Sequence, residues 1–473
     1  MMARGLAPDF PTALLDELKE INIPATYKPE IARDMRKLRW CSVDNADSLD
    51  LDQLTYAEQL PDNKVRLLVA IADVDILVSA QSKIDNHASQ NTVSIYTIAQ
   101  IFPMLPEKLS TDLTSMSLGN DRCAVVVEMV IDDDGAVQQS DVYCATVFNY
   151  AKLQYESLGA WLEGNGPIPT EVRKVEGLAE NILLQDRIAQ KMKGLRYEHG
   201  ALEFETIEAR PVFDGDVLSE MKAELKNRAK SLIEDFMIAA NGATARYLAH
   251  KNFPSLRRVV RTPKRWSRIV ELASEHGFSL PEKANPKSLS AYLKFIKQND
   301  PQHFIDMSIS VLKLLGSGEY VVETPGSASE GHFGLAVKDY THSTAPNRRY
   351  PDLITQRLLK SAILGHPVPY AVEQLEEIAH HCTIKEDDAR KVERQVEKSA
   401  NAMLLKHRVG EVFEAIVSGA SPKGTWIRLF HPHVEGKLVN GFNGLEVGYK
   451  LKVRLIQINI EEGFIDFERI ENM

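Results

Sequence analysis

A chain of 473 residues is long for one domain and predicts two or three. Its 44% hydrophobic and 26% charged content is that of an ordinary globular protein, and neither a membrane-length apolar run nor a signal-peptide core is present. The formal net charge of −10 confines any nucleic-acid contact to local basic patches or a recessed channel, since the field of the whole molecule repels phosphate.

Residues 11–20 predict a short amphipathic helix opening at Pro11 or Thr12, followed by a connector broken by Pro24 and Pro29. From about 38 to 150 the pattern turns to strands. The β-branched runs 65–78 and 123–131, the second closing on the turn Asp132–Gly135, predict a mixed sheet. Helical periodicity takes over at 170–194, 218–252 and 266–277, so the middle of the chain reads as α plus β. Beyond the glycine-rich segment 324–334, helices are predicted over 347–364 and from 371 to about 406, the second interrupted near Cys382. Residues 410–470 change character. Short strands at 412–417, 425–430, 436–439, 450–458 and 463–467, separated by Gly or Pro turns, predict a five-stranded Greek-key barrel of the OB type. The four cysteines, Cys41, Cys123, Cys144 and Cys382, form no CxxC pair, which points to buried thiols in a reducing compartment, the cytoplasm by default.

The most informative stretch is 40–54, where Asp44, Asp47, Asp50 and Asp52 crowd a segment with apolar flanks. Two like charges about 4 Å apart repel by roughly 4 kcal/mol at an effective dielectric near 20, so a partly buried group needs a cation or protons. Oxygen ligands alone point to a hard ion, Mg²⁺ or Mn²⁺. The alternative is a solvated loop whose aspartates cap turns; the apolar flanks argue against it. No frame fits an EF-hand. On an extended segment Asp50 and Asp52 share a face, and Asp44 returns to it if 45–49 form a turn. An open carboxylate site of this kind suits phosphoryl chemistry, because a metal there can activate a water and offset charge at a scissile phosphate.

The spacing Asp44-x5-Asp50-x-Asp52, preceded by 33–40 and followed by 69–74, resembles the metal-binding motif of the ribonuclease II (RNB) family of 3′-to-5′ exoribonucleases. Further segments fall in the family's order across roughly 33–405, and the barrel behind them resembles the S1 RNA-binding domain that commonly closes these enzymes. The resemblance implies an α+β fold: a short helical lead-in over 1–32, an RNB-like catalytic domain with a mixed sheet and surrounding helices over 33–405, and an S1-like OB domain over 408–473. Family members commonly carry cold-shock-type barrels before the catalytic region, and the roughly 35 residues here leave no room for them.

Carried over residue by residue, the resemblance implies that Asp44, Asp50 and Asp52 hold Mg²⁺ or Mn²⁺, with Gln53 where the family usually has a fourth aspartate. An amide oxygen can ligate a metal but brings no charge and no base, and Asp47 is a candidate to compensate. Tyr96 and Phe204 match the aromatic pair that stacks on and clamps the 3′-terminal base, a contact that tolerates any sequence. Tyr155 and Glu234 match the pair that holds the sugar-phosphate, where contact to a 2′-OH tells RNA from DNA. In 340–352, Arg348 matches the catalytic arginine, whose planar fork stabilises charge developing on phosphate. Ala345 and Asn347 replace the usual Ser and Ile. Arg349 reads as phosphate binding or structural pairing, His342 as structural, and Glu393 matches a substrate-contacting glutamate on a C-terminal helix. Lys450, Lys452 and Arg454, at i, i+2 spacing, fall on one strand face beside Trp426 or Phe430, a surface for an RNA backbone.

The expected activity is hydrolysis of single-stranded RNA from the 3′ end to nucleoside 5′-monophosphates by a Mg-activated water. No nucleotide cofactor and no membrane partner are implied, and a monomer is expected. Two rivals stand beside it: a non-catalytic RNA-binding protein with a degenerate RNB fold, supported by Gln53, and a metal phosphodiesterase acting on small nucleotides, which leaves the barrel unexplained.

Overall fold

The strand runs of the first third assemble into one six-stranded sheet in the order Arg33–Asp34, Val137–Gln154, Trp40–Asp44, Gln53–Gln59, Val65–Ala72 and Asp121–Ile131. The computed structural model describes residues 1–205, 208–214, 217–224, 226–301, 303–327, 330–421, 424–445 and 448–470, with Ala328 and Ser329 of the glycine-rich segment outside them. The long strand Val137–Gln154 closes the sheet on itself. Its first part pairs antiparallel with Asp121–Ile131, and its last residues, from Asn149 to Gln154, run parallel to Trp40–Asp44. Residues Leu67 to Ala72 are all at most 2% exposed, so this strand is covered on both faces, as its unbroken apolar run requires. Helices pack against this sheet, among them Leu178–Glu198, Arg228–His250 and Tyr350–Leu364, the last two burying residues along most of their length.

Helices were expected at 170–194, 218–252 and 371–406, and each differs in detail. The first divides into Thr170–Arg173 and Leu178–Glu198. In the second, Val217–Glu224 is a strand paired with Glu208–Asp214, and the helix begins only at Arg228, where the Asn227 side chain accepts a hydrogen bond from the Lys230 amide at 2.9 Å. That cap fixes the start, because a capping residue has non-helical backbone. The third, Val372–Leu404, runs without the expected break, with Cys382 buried on its inner face. The helix expected from 347 starts at Tyr350, which leaves Arg348 and Arg349 on the turn before it. Four α-helices among the described residues had not been foreseen: Lys83–Asn91, Tyr155–Leu162, Pro286–Asn299 and Phe304–Leu315.

The last strands, Val412–Ser421, Gly424–Leu429, Glu435–Asn440, Lys450–Asn459 and Phe464–Arg469, form a closed barrel. Its core is continuous with the end of the long helix through Ala402 and Leu405. Lys450, Lys452 and Arg454 are exposed while Leu451 and Val453 between them are buried, so the basic face falls where the spacing placed it. Arg454 pairs there with Glu468 at 3.0 Å. On another side, Arg428 reaches the buried Asp306 of the Phe304 helix at 3.0 Å and ties the barrel to the body.

Candidate active site

The acid stretch is the connection between two neighbouring antiparallel strands, leaving one at Asp44 and entering the next at Gln53. It is pinned along its length. Asp44 Oδ1 accepts from the Asn45 amide and the Ser48 hydroxyl, both at 2.7 Å. Lys152, on the adjacent strand, donates to the carbonyls of Ala46 at 3.1 Å and Ser48 at 2.6 Å. Leu51 is buried and Leu49 is exposed, so the loop turns its apolar side chains alternately into the core and out to solvent.

Asp52 is 3% exposed and accepts from Arg348 Nε at 2.6 Å through Oδ2, while its Oδ1 has no hydrogen-bond partner. Burial pushes its carboxyl up to about 7, against the lowering pull of Arg348 and with a further push from the charge of Asp50. Asp50 in turn accepts from the Tyr96 hydroxyl at 2.8 Å. The Tyr96 amide donates to Glu393 Oε1 at 3.0 Å, and burial raises the Glu393 carboxyl above its ordinary value. A short pairing places Tyr96 and Arg348 on one wall: Ser94 N–H donates to the Arg348 carbonyl at 2.9 Å and Tyr350 N–H to the Thr92 carbonyl at 2.8 Å. Asp50, Asp52, Tyr96, Arg348 and Glu393 are therefore brought together from four separate parts of the chain.

The other expected residues make contacts of their own. Around the start of the Arg228 helix, Lys230 stands over the Tyr155 ring at 5.9 Å and Lys226 pairs with Glu234. Phe204 packs on the satellite core of Trp266, Leu289 and Phe304, and its neighbours Glu203 and Glu205 pair with Lys297 at 3.2 and 2.7 Å. Arg349 donates to the buried Asp352 at 2.7 Å. His342 shares a hydrogen bond with the Tyr320 hydroxyl at 2.8 Å, and burial beside Arg349 and Arg258 drives its pKa well down, so the ring is neutral. Sequence reasoning missed Lys152 and Ser115, which brace the acid loop. Only the fold puts them beside it, and a lone Lys or Ser carries no signal of that kind.

For a divalent cation the fit is partial. The donor chemistry suits one: among the described residues a buried carboxylate oxygen of Asp52 has no partner, and Asp50 beside it accepts from the neutral Tyr96 hydroxyl. Yet among the described residues no three His, Cys, Asp or Glu side chains converge closely enough to hold a metal ion. Asp44 spends one oxygen on its own turn, and Gln53 is a buried strand residue paired with Ile71. Asp50 and Asp52 are the residues that would hold an ion, with Asp44 as the next candidate. Arg348 is the second feature suited to phosphate, since its side chain is 41% exposed while Nε stays on Asp52.

Comparison with known proteins supplies a family. Residues 32–365, more than half of the chain, match the RNB domain, and residues 411–470 match the RNase II-type exonuclease C-terminal S1 domain. Ribonuclease R 1 of Lactococcus lactis is 27% identical over 99% of this chain, and the chain covers 60% of that relative's length. The chain thus spans about 60% of the first curated relatives it matches. A solved structure of Mycoplasma genitalium RNase R in complex with ribose methylated single-stranded RNA matches with a TM-score of 0.87 at 23% identity, over 99% of this chain and 77% of that one. The structure of yeast Ssd1, a pseudonuclease, matches at 0.68 and 16% identity, over 88% of this chain and 51% of that one. Among the described residues no helix is long and apolar enough to cross a membrane.

Proposed function

The chain belongs to the RNB-domain family, and from that membership we propose that it is a 3′-to-5′ exoribonuclease acting on single-stranded RNA and releasing nucleoside 5′-monophosphates. One observation carries the reading: Asp52 is buried with Arg348 on one oxygen and nothing on the other, beside Asp50. Buried Asp235 and Asp352 also keep one oxygen without a partner among the described residues; what sets Asp52 apart is its company, Asp50 held by a neutral tyrosine hydroxyl and an Arg348 side chain left 41% exposed.

When bound by Asp50 and Asp52, Mg²⁺ or Mn²⁺ would supply Lewis-acid stabilisation of phosphate charge and a lowered pKa for water. The chain's own groups do the rest. Arg348 keeps Asp52 oriented through Nε and presents the outer edge of its fork to a phosphate, where charge grows during in-line displacement. Tyr96 holds Asp50 through its hydroxyl and offers an exposed ring to a terminal base, while Glu393 fixes the Tyr96 backbone. Tyr155 and Glu234 are assigned to the sugar-phosphate, Phe204 to the clamp and Arg349 to the neighbouring phosphate on the family resemblance. The local contacts of Phe204 and Arg349 equally suit packing and pairing.

The rival reading, an RNA-binding protein with a degenerate nuclease site, is favoured by Gln53 and by the lack of a converged set of three acids. A time course on 5′-labelled single-stranded RNA with Mg²⁺, beside Asp52→Asn and a DNA oligonucleotide of matching sequence, separates the two. A ladder shortening from the 3′ end, absent in the variant and on DNA, is the expected result. Intact RNA that is still retained in a gel shift would establish the rival.

A further inference from the structure

We propose that Ser115 is a positioning residue that sets the backbone of Asp50. Its hydroxyl donates to the carbonyl of Leu49 at 2.6 Å and accepts from the amide of Leu51 at 3.1 Å. One oxygen thus holds the peptide groups on both sides of Asp50. With both flanking peptide planes held, φ and ψ of Asp50 are fixed, and its side chain keeps only its own rotamers. The Tyr96 hydroxyl then selects among those from the opposite wall.

The clamp is built on rigid ground. Ser115 is 0% exposed, and its own carbonyl accepts from Arg122 Nε at 2.8 Å. Arg122, itself buried, also donates to the Asp112 carbonyl at 3.1 Å and the Ser117 hydroxyl at 2.9 Å, so one guanidinium ties down the turn that carries the serine. Next to it, Met116 N–H donates to the Leu51 carbonyl at 2.9 Å, and Asn149 Nδ2 donates to the Met116 carbonyl at 2.7 Å. Lys152 braces the loop farther back, at the carbonyls of Ala46 and Ser48. The arrangement exceeds what turn stability asks for. Asp44 is held by its own turn, whereas the side-chain partners described for Asp50 and Asp52, Tyr96 and Arg348, come from distant parts of the chain. A reacting centre tolerates little misplacement, so an acid whose side-chain partner lies across the site profits from a bracket on its own backbone.

This rests on the exoribonuclease reading, and the test keeps the two separable. Ser115→Ala is made in the full chain and read in three ways: amide hydrogen exchange, the Kd for 5′-labelled single-stranded RNA in EDTA, and the single-turnover shortening rate with Mg²⁺. Exchange at Leu51 should accelerate by about tenfold or more while amides of the strand Val65–Ala72 keep their protection. Kd should stay within about threefold of the parent, and the rate should fall roughly ten- to a hundredfold, the pattern of a lost transition-state arrangement. Unchanged exchange at Leu51, a rate within twofold of the parent, or a general loss of protection accompanied by weaker RNA binding would each overturn the proposal. A parent chain that leaves RNA intact while Leu51 still responds would count against the exoribonuclease reading and support the clamp. Should Ser115→Ala not fold, Ser115→Cys, which keeps the volume and weakens the hydrogen bonds, takes the same three readings with the same expected signs.

Discussion

Two aspartate clusters lie close in sequence and have opposite characters. Asp73, Asp75 and Asp85 each face a cation: Lys360 reaches Asp73 and Asp75 at 2.9 Å, and Arg357 reaches Asp75 at 3.0 Å and Asp85 at 2.9 Å. Gln356 on the same helix accepts from the amides of Val74 at 2.9 Å and Asp75 at 3.1 Å, and donates to the Ala72 carbonyl at 2.7 Å. Asp44, Asp50 and Asp52 have Arg348 as the one cation bonded to a carboxylate of theirs among the described residues, and a carboxylate oxygen of Asp52 is left over. Charge that the protein neutralises for itself holds a helix on a sheet; charge that it leaves over is available to a ligand.

If that contrast is right, the two clusters respond to mutation in different observables. The largest effect is expected for Asp52→Asn, which should lower the rate of RNA shortening by at least about a thousandfold while leaving the thermal midpoint unchanged or higher, because a half-satisfied buried charge is removed. A rate within tenfold of the parent would dissolve the distinction. Lys360→Met should do the reverse. It strips Asp73 of its cation next to the core, Asp75 keeping Arg357, and should cost about 3–5 kcal/mol in denaturant unfolding. Loss of less than about 1 kcal/mol would mean that the Asp73 cluster does not hold the helix.

Arg348→Lys keeps the charge and loses the planar fork, so single-turnover rates should drop roughly ten- to a hundredfold with little change in stability. An unchanged rate would reduce the arginine to a counter-ion. The smallest effect belongs to Asp235, a buried acid that pairs with Arg196 on neither cluster. Burial raises its carboxyl to about 6, above the ordinary carboxylate value, so the folded state binds the proton more tightly than the unfolded chain does. Its contribution is complete below about pH 4 and is lost as pH rises through about 6, with a slope of up to about 1.4 kcal/mol per pH unit in between. Asp235→Asn should flatten the stability profile over that window, and an identical slope in the variant would remove Asp235 as its source.

The fold was readable where the residues themselves are periodic. The run 123–131, the barrel strands and the helix Thr12–Glu20 lie where their patterns put them, while the run 65–78 keeps its strand only to Ala72. Val217–Glu224 read as the start of a helix because the Asn227 cap was not recognised. Within the candidate site, the spacing of Asp50 and Asp52 foretold their proximity, but nothing local told the two aspartate clusters apart. That difference is made by Lys360 and Arg357, nearly 300 residues downstream of Asp73 and Asp75, and by the absence of a counterpart for Asp52 beyond Arg348. Ser115 and Lys152 were invisible for the same reason: bracing is a property of tertiary contact.

The most direct test is a calorimetric titration of Mn²⁺ into the metal-free parent chain and into Asp52→Asn. Saturable binding in the parent, lost in the variant while its fold is retained, is the predicted result. Equal binding by both, or none by either, would contradict the assignment of the acid loop as the cation site.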